Sequence, residues 1–512
     1  MHELVAVLDY GSQYAQLIAR RVRECGVYCE ILPHDITSED MACLAPKAIV
    51  LSGGPASVLR QPHPGIDPKI LDLGIPVLGI CYGMQLMATV LGGTLERGNS
   101  GEYGPATIEI ATSEPLFSGI ENTINVWMSH GDQVISPPDG FIVLARTRVC
   151  PLAAIGDLTK RLFGVQFHPE VVHTPLGKEI IKNFLFKIAG CSGDWSMAGF
   201  IEESIKEIRT EVGSSRLICG LSGGVDSTVV AALINKAIGN QMTAIFVDNG
   251  LLRADEVAEI RHLFTEEYPL NLDIVDAREI FLDRLKGVTE PEEKRKRIGN
   301  TFIDVFNEEA DRIGGANFLA QGTLYPDIIE SRSAKGGPSA TIKSHHNVGG
   351  LPKDLNFRLI EPLKELFKDE VRVLGKELGL PEKLVNRQPF PGPGLGVRIL
   401  GEVNSENVAI LQEADKRVQE EIQGFDGYKD IWQSFAVLLP VKSVGVMGDE
   451  RTYANVIAIR AVSSLDGMTA DWVKIPYEIL ARISARIINE VKGVNRVVYD
   501  ISSKPPSTIE WE

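Results

Sequence analysis

Short apolar runs alternate with amphipathic stretches along the first part of the chain. Leu4–Leu8, Cys29–Leu32 and Ala48–Leu51 have the length and composition of buried strands. Between them, Gln16–Arg23 repeats its apolar residues with a helical period. This alternation predicts an α/β domain in which helices cover a parallel sheet. Such sheets bind ligands beyond the carboxyl ends of their strands, so the loops there are the first candidates for chemistry.

The alternation resumes after a small, polar interruption at residues 189–195. Leu217–Leu221, Thr243–Val247 and Asn317–Ala320 are short apolar runs that are typical of buried parallel strands. Amphipathic and charged helical patterns separate them along the chain. The order of elements therefore predicts a second α/β domain with its own parallel sheet.

Beyond the turn-rich segment 387–395 the pattern changes. A helical period covers residues 408–422 and 477–491, and strand patterns cover residues 437–441, 455–462 and 496–501. This order predicts a small α+β domain, and we expect domains at 1–195, 196–387 and 388–512. One helix on a small sheet leaves the other sheet face in need of cover, which favours a homodimer through this domain.

Composition excludes several classes of protein. A formal net charge of −16 argues against a nucleic-acid-binding surface, although it permits a local basic pocket. The 7 cysteines are scattered without a C-x-x-C pair, which argues against a zinc site or disulfide framework and indicates a reducing cytoplasm. The chain has no basic leader and no apolar run long enough to span a bilayer, so we expect no membrane association.

Two glycine-bearing turns follow predicted strands in the first domain. Ser52-Gly53-Gly54-Pro55 is one, and Gly79-Ile80-Cys81-Tyr82-Gly83 has the form of a nucleophile elbow with cysteine as the nucleophile. Cys81 would then lie at the start of helix Met84–Leu91, where the helix end favours a thiolate. The backbone N–H groups of Gly54 and Tyr82 are candidates for an oxyanion hole.

A cysteine nucleophile needs a base, and the segment 162–170 offers one. It alternates like a strand, so His168 and Glu170 should project on the same side. His168 would activate Cys81, and Glu170 would orient His168. Taken singly, a buried cysteine usually belongs to a core and a His-x-Glu pair is usually solvated, so this interpretation depends on the elbow.

These pieces resemble the class I glutamine amidotransferases, in that family's order. The matching residues are Gly53-Gly54-Pro55, Cys81 with Gln85, Ser129-His130-Gly131-Asp132 and His168-Pro169-Glu170. The resemblance implies that Cys81 attacks the side-chain amide of glutamine, that ammonia leaves, and that water releases glutamate. It also implies that Gln85, Ser129 and His130 help to hold glutamine.

A second glycine-rich turn, Ser222-Gly223-Gly224-Val225-Asp226-Ser227-Thr228, lies between a strand and a helical run. Its N–H groups, its hydroxyls and the helix end favour a phosphate group. It lacks the lysine of the Walker pattern, so it is better suited to pyrophosphate as a leaving group, and Asp226 could help to hold Mg²⁺. Two adjacent glycines alone would favour only a capped turn.

The whole run resembles the pyrophosphate loop of the N-type ATP pyrophosphatases. That resemblance implies cleavage of ATP between its α and β phosphates and an adenylylated intermediate. The strand ending near Val247 and the turn containing Gly322 would then lie beside the nucleotide. The glycine-rich, basic segment 331–352 reads as a lid, with Lys343, His345 and His346 neutralising phosphate charge, although a disordered loop fits it nearly as well.

Together the three regions, with the segment 466–472 and the C-terminal tail, resemble the family of glutamine-hydrolysing GMP synthetases over essentially the whole chain. The resemblance implies that ATP adenylylates xanthosine 5′-monophosphate and that ammonia displaces AMP. It would place Lys504 at the phosphate of that substrate, Glu510 at its purine, and Arg295 near its phosphate. Alternatives are another glutamine-dependent ligase such as an NAD synthetase, a tRNA-modifying pyrophosphatase, and a glutamine sensor without catalysis.

Overall fold

The computed structural model describes residues 2–12, 14–113, 115–333, 357–447, 450–464, 467 and 469–512. These residues form two compact units, Met1–Phe200 and Ile201–Glu512. In the described part of the chain, every helix is too short or too polar to cross a lipid bilayer.

The first unit is built around one nine-stranded sheet. Its elements, in chain order, are β1 (Leu4–Asp9), α1 (Ala15–Arg23), β2 (Tyr28–Pro33), α2 (Ser38–Leu44), β3 (Ala48–Leu51), β4 (Val77–Ile80), α3 (Tyr82–Val90), β5 (Thr94–Ile110), β6 (Thr123–Ser136), β7 (Ile142–Arg146), β8 (Ala154–Asp157), β9 (Leu162–Val165) and α4 (Gly177–Lys182).

The strand order is β2-β1-β3-β4-β9-β8-β7-β5-β6. The α/β class expected from the sequence is confirmed, but the sheet is mixed, not parallel throughout. The β2-to-β9 half is parallel and carries the helices, whereas β9, β8, β7, β5 and β6 pair antiparallel. Short links join these later strands, and antiparallel pairing needs no crossover helix.

The second unit begins with another α/β arrangement. Its elements up to residue 385 are α5 (Met197–Val212), β10 (Arg216–Leu221), α6 (Val225–Ile238), β11 (Met242–Asp248), α7 (Glu256–His262), β12 (Leu272–Asp276), α8 (Arg278–Leu285), α9 (Pro291–Ile313), β13 (Ala316–Ala320), α10 (Tyr325–Ser333), β14 (Arg358–Ile360), α11 (Lys368–Glu377) and α12 (Glu382–Val385). The strands form a parallel sheet in the order β12-β11-β10-β13-β14.

Strand β10 lies at the centre of that sheet, between β11 and β13. Its carboxyl end leads directly into residues 222–228, and the ends of its two neighbours bring Val247 and the Gly322 turn to the same edge. Helix α6 begins at Val225, within the glycine-rich run and not after it. As a result, Asp226, Ser227 and Thr228 belong to the first helical turn.

The rest of the second unit is a four-stranded sheet with two helices. Its elements are α13 (Ser405–Gln423), β15 (Gln433–Met447), β16 (Glu450–Ser463), β17 (Asp471–Trp472), α14 (Tyr477–Glu490) and β18 (Val494–Asp500). Strand β16 pairs antiparallel with β15 and β17 and parallel with β18. Both helices contribute to the core, whereas the sequence pattern predicted one helix as cover: Leu411 and Ile483 belong to the same buried cluster as Ile218 of β10.

Candidate active sites

The nucleophile elbow is formed by a sharp turn between β4 and α3. Cys81 has φ 52° and ψ −105°, a conformation that a non-glycine residue rarely adopts and that the surroundings must enforce. A Cβ on Gly79 would lie 2.6 Å from the Met84 nitrogen, and one on Gly83 would overlap the Leu51 carbonyl oxygen. Both flanking positions therefore require glycine. Helix α3 starts at Tyr82, directly after the thiol.

The base and its partner lie beside the thiol. Strand β9 ends at Val165, so His168 and Glu170 are in the turn that follows and not on a continuous strand as the sequence pattern predicted. Even so, His168 Nδ1 lies 2.7 Å from Glu170 Oε1, and both side chains are buried. A Cβ on Gly53 would lie 3.2 Å from His168 Cε1 and 4.0 Å from Cys81 Cβ, so the imidazole and the thiol border the same space.

The charge of His168 is set by its neighbours. Burial lowers the pKa of the imidazole, but the Glu170 carboxylate and a hydrogen bond with Cys81 outweigh it and raise the pKa to about 11. The imidazole is therefore protonated at neutral pH. Its backbone is fixed as well, because the His168 N–H donates to the Trp127 carbonyl and Thr174 Oγ1 donates to the His168 carbonyl.

Backbone groups of two loops meet at the elbow. The Gly83 N–H donates to the Ser52 carbonyl oxygen at 3.1 Å, which ties the start of α3 to the Gly53-Gly54 turn. A Cβ on Gly54 would lie 2.8 Å from the Tyr10 carbonyl oxygen, so this turn also requires glycine. The Tyr82 side chain points away and donates its hydroxyl to the Pro64 carbonyl, and burial raises its pKa to about 12. The two candidate oxyanion donors, Gly54 and Tyr82, are thus on adjacent turns.

Gln85 and Gln166 form a buried amide network around the thiol. Gln85 Nε2 donates to the Asp132 carbonyl at 2.7 Å and to Gln166 Oε1 at 3.2 Å, and Gln166 Nε2 donates to Cys81 Sγ at 3.6 Å. Gln166 was not among the candidates from the sequence. Its place two residues before His168 was the available signal, because alternation along an extended chain puts both on one side.

The segment 129–132 lies on β6 next to the elbow. The Ser129 carbonyl oxygen is 3.7 Å from Cys81 Sγ, and the Ser129 residue is exposed. His130 is buried, which lowers its pKa, and its Nδ1 donates to the Asp132 carbonyl at 3.0 Å. Its Nε2 lies 3.6 Å from Glu102 Oε2, too far for a hydrogen bond. The structure thus brings the Ser129 backbone next to the thiol and links Gln85 to it through Gln166, while His130 Nδ1 is turned to Asp132.

In the second unit, the phosphate loop closes through its own hydroxyl groups. The Ser222 and Ser227 hydroxyl oxygens are 3.0 Å apart, the Ser222 N–H donates to Ser227 Oγ, and Ser227 Oγ donates to the Gly224 carbonyl. Gly223 has φ 73°, in the left-handed region that favours glycine. Gly322 packs against this loop, because a Cβ there would lie 3.6 Å from Asp226 Cβ. Val247 is buried in the core near the end of β11.

Lys368 supplies a cation to the loop that the loop's own sequence lacks. Its ammonium group pairs with Asp226 Oδ2, although the two residues are 142 positions apart. Lys368 opens α11, and no motif in the loop pointed to it. This is a contact that depends on the tertiary fold.

The atoms of the loop fit a divalent cation brought by a nucleotide. Asp226 Oδ1 and Thr228 Oγ1 are buried and have no hydrogen-bond partner among the described residues. Mg²⁺ in proteins commonly takes one or two carboxylates and completes its shell with phosphate oxygens and water. The free carboxylate oxygen of Asp226 is a suitable donor for such a shared ion.

The C-terminal tail, residues 502–512, is held against the rest of the second unit by buried cations. Arg398 is fully buried and donates Nε and Nη2 to the two carboxylate oxygens of Glu510, at 3.1 and 2.9 Å. Gln433 Nε2 donates to the same carboxylate. The fully buried Arg460 donates to the carbonyls of residues 502, 508 and 509.

The three candidates for nucleotide substrate all lie at this tail. Glu510 is held as described, Lys504 Nζ donates to the Gly467 carbonyl at 2.8 Å, and Arg295 donates to the Glu512 carbonyl oxygen. The buried Lys294 pairs with the Glu512 side chain at 2.5 Å. The lid candidates Lys343, His345 and His346 lie outside the described residues.

Three parts of the chain match known families. Residues 6–188 match the class-I glutamine amidotransferases, residues 197–300 match NAD synthase, and residues 420–511 match the GMP synthase C-terminal domain.

Relatives over the full length are named as glutamine-hydrolyzing GMP synthases. The protein of Caldanaerobacter subterraneus subsp. tengcongensis is 58% identical over 510 residues, which cover 100% of this chain and 99% of the relative. The protein of Carboxydothermus hydrogenoformans is 58% identical over 512 residues, 100% of both chains. That of Bacillus thuringiensis subsp. konkukian is 55% identical over 511 residues, covering 100% and 99%.

Proposed function

The chain belongs to the family of glutamine-hydrolysing GMP synthases, and from this membership we propose how its two sites divide the reaction. It is a glutamine-dependent ligase that makes GMP and uses ATP. The observation that supports the division is that one chain carries both the buried Cys81–His168–Glu170 group and the lysine-free phosphate loop. The first suits release of ammonia from an amide, and the second suits departure of pyrophosphate.

In the first unit, the Cys81 thiolate attacks the side-chain carbonyl carbon of glutamine. The N–H groups of Gly54 and Tyr82 hold the oxyanion. His168, protonated because of Glu170, gives its proton to the amide nitrogen, the C–N bond breaks, and ammonia leaves. Water then attacks the thioester and passes a proton to His168, glutamate departs, and the thiolate is restored. Gln85, Ser129 and His130 hold the substrate side of the elbow.

In the second unit, the oxygen at C2 of xanthosine 5′-monophosphate attacks the α-phosphorus of ATP. The N–H groups and hydroxyls of residues 222–228 hold the pyrophosphate that leaves, while Val247 and Gly322 border the adenosine. Ammonia then adds at the same carbon, and AMP departs with the oxygen to give GMP. The products are therefore GMP, AMP, pyrophosphate and glutamate.

Mg²⁺ would be held by Asp226, with Thr228 beside it, and would neutralise phosphate charge. Lys368 already pairs with Asp226, so binding of the metal and nucleotide must compete with that ion pair. Lys343, His345 and His346 remain our candidates for a closing lid over the phosphates.

We further propose that the nucleotide substrate binds at the C-terminal tail, near Arg295, Lys504 and Glu510. The basic residues there can face a phosphate, and the fixed carboxylate of Glu510 can accept hydrogen bonds from a purine. We keep 1–195, 196–387 and 388–512 as the proposed domains, with a cytoplasmic location.

A homodimer through the C-terminal sheet completes the proposal. Val444 on β15 and its cross-strand neighbour Tyr453 on β16 are exposed, as are Val441 and Val446. Such an apolar strip is suited to a second copy of the chain. Val444→Glu should lower the mass measured by light scattering to that of a monomer, whereas Val172→Glu, at an exposed valine of the first unit, should leave it unchanged.

The decisive experiment supplies xanthosine monophosphate, glutamine, ATP and Mg²⁺ and identifies every product. We expect GMP, AMP, pyrophosphate and glutamate, and ADP as the product would contradict the loop assignment. Cys81→Ala should abolish turnover with glutamine and retain it with ammonium salts. Loss of both activities in this variant, with the fold intact, would contradict the division between the two sites.

A further inference from the structure

A residue far along the chain holds the phosphate loop from outside. Arg387 lies 164 positions after Gly223, and its Nη1 donates to the Gly223 carbonyl oxygen at 2.9 Å. Its Nη2 donates to Glu256 Oε1 at 2.6 Å. Neither contact involves a group that the reaction described above uses, so this guanidinium has a role still to be explained.

Glu256 fixes the guanidinium in place. The Glu256 side chain is only 2% exposed, and its second oxygen accepts the Arg253 N–H at 3.1 Å. A Cβ on Gly223 would lie 2.8 Å from Glu256 Oε1, so the carboxylate packs directly on the loop. Because the Glu256 carboxylate is buried, breaking its contact with Arg387 would remove an ion-pair partner from a buried charge, so the pair has little freedom to rearrange.

The backbone that carries Arg387 is equally constrained. Its neighbour Gln388 is buried, and Gln388 Oε1 accepts hydrogen bonds from the Ser434 N–H at 2.9 Å and the Ser434 hydroxyl at 3.1 Å. The Arg387 N–H donates to the Leu384 carbonyl. The guanidinium therefore extends from a fixed base.

The contact with the Gly223 carbonyl decides which way a peptide faces. A peptide is planar and trans, so the carbonyl of Gly223 and the N–H of Gly224 point in opposite directions. With the carbonyl held by Arg387, the Gly224 N–H faces the inside of the loop, where it is 3.4 Å from Ser222 Oγ. Glycine on both sides of this peptide would otherwise permit a flip. The flipped peptide would present a carbonyl oxygen to an anionic phosphate.

We propose that Arg387, braced by Glu256, is a positioning residue that keeps the Gly223–Gly224 peptide turned with its N–H toward the phosphates of ATP. This inference rests on the proposed function of the loop. Arg387 itself does not touch the substrate; it acts through the orientation of one backbone donor.

The test uses the full-length enzyme with ammonium as the nitrogen source, so that the glutamine site does not contribute. The variants are Arg387→Ala, Arg387→Lys and the control Lys416→Ala, which removes an exposed pair with Asp255, the residue before Glu256. Two constants are measured: KM for ATP, and the inhibition constant of inorganic pyrophosphate, which probes the loop directly.

Loss of a charge-assisted hydrogen bond should raise both constants by roughly tenfold to a hundredfold in Arg387→Ala. KM for xanthosine monophosphate should change by less than about threefold, because that substrate is proposed to bind at a different site and distant sites respond nearly independently. Arg387→Lys can keep one donor and should fall between the alanine variant and the wild type, while Lys416→Ala should match the wild type.

Unchanged constants in Arg387→Ala, or equal changes in Lys416→Ala, would overturn the inference. If Arg387→Ala does not fold, Arg387→Lys and Glu256→Gln carry the test, and wild-type pyrophosphate inhibition in both would refute it. Failure of the wild-type enzyme to form AMP and pyrophosphate would instead refute the proposed function.

Discussion

Replacing Glu170 by glutamine tests whether a buried carboxylate sets the charge of His168. The two side chains meet at 2.7 Å, and Glu170 is fully buried. The difference between a pKa of about 11 and the ordinary 6.5 corresponds to ~6 kcal/mol of net stabilisation of the protonated imidazole. Glu170 and Cys81 together supply this stabilisation, and they also offset the cost of burying the charged imidazole. Glu170→Gln keeps the shape and one neutral hydrogen bond but removes the charge, so the pKa of His168 should fall.

The sign of the pH effect follows from which form of His168 is needed. Protonated His168 gives its proton to departing ammonia, and this form is lost as pH rises through the pKa. In the wild type the raised pKa of His168 puts that loss above the usual assay range. In Glu170→Gln it should move down toward neutral pH, where the rate of glutamine hydrolysis should decline. Since general acid–base catalysis contributes about 10²–10⁴-fold, the fall in rate should lie in that range.

The assay is glutamate release from glutamine in the presence of the other substrates, from about pH 6 to 10. This range includes pH values near the ordinary pKa of histidine and stays below the raised pKa of His168. GMP formation from ammonium serves as the reference at each pH. Glu179→Gln is a matched control, because Glu179 forms an exposed pair with Lys182 on α4 and such pairs contribute little. A Glu170→Gln rate that shows no alkaline decline within this pH range would refute the claim that this carboxylate controls His168.

Three further outcomes follow from the structure. Gly83→Ala should lower the free energy of unfolding by ~1–3 kcal/mol in urea denaturation, because its methyl group would overlap the Leu51 carbonyl; unchanged stability would mean that the elbow can relax. Asp226→Asn should raise the Mg²⁺ concentration needed for half-maximal AMP formation, and an unchanged requirement would place the ion elsewhere. Arg398→Met should lower the free energy of unfolding by ~3–5 kcal/mol, because it leaves the Glu510 carboxylate without its ion pair. It should also speed removal of the tail by carboxypeptidase, and a tail as resistant as in the wild type would contradict this.

Much of the first site could be predicted from the sequence because its chemistry is local. The glycines around Cys81 signal a turn that only they permit, and His168 and Glu170 stand two residues apart in the chain. The error lay in the backbone between them: the pattern predicted one strand through residue 170, whereas β9 ends at Val165. The two side chains still meet, since a short turn can also bring residues i and i+2 together.

The mixed sheet shows where periodicity reaches its limit. The pattern within a strand does not choose its hydrogen-bonded neighbours, because those depend on the lengths of the links and on the helices between strands. The absence of a helical pattern between residues 94 and 165 was the available signal for antiparallel pairing.

The sequence alone determined the local chemistry of this protein: the elbow, the phosphate loop and the alternation that places both at the ends of strands. Only the tertiary structure decided which distant residues complete them. Lys368 reaches Asp226, Arg387 reaches Gly223, and Arg398 reaches Glu510, each across more than 100 positions. Turn geometry and helical period depend on neighbours in the chain, so they can be read from it. The pairing of a buried charge depends on which side chains the packed core brings within about 3 Å, and a single sequence does not encode that distance as a local pattern.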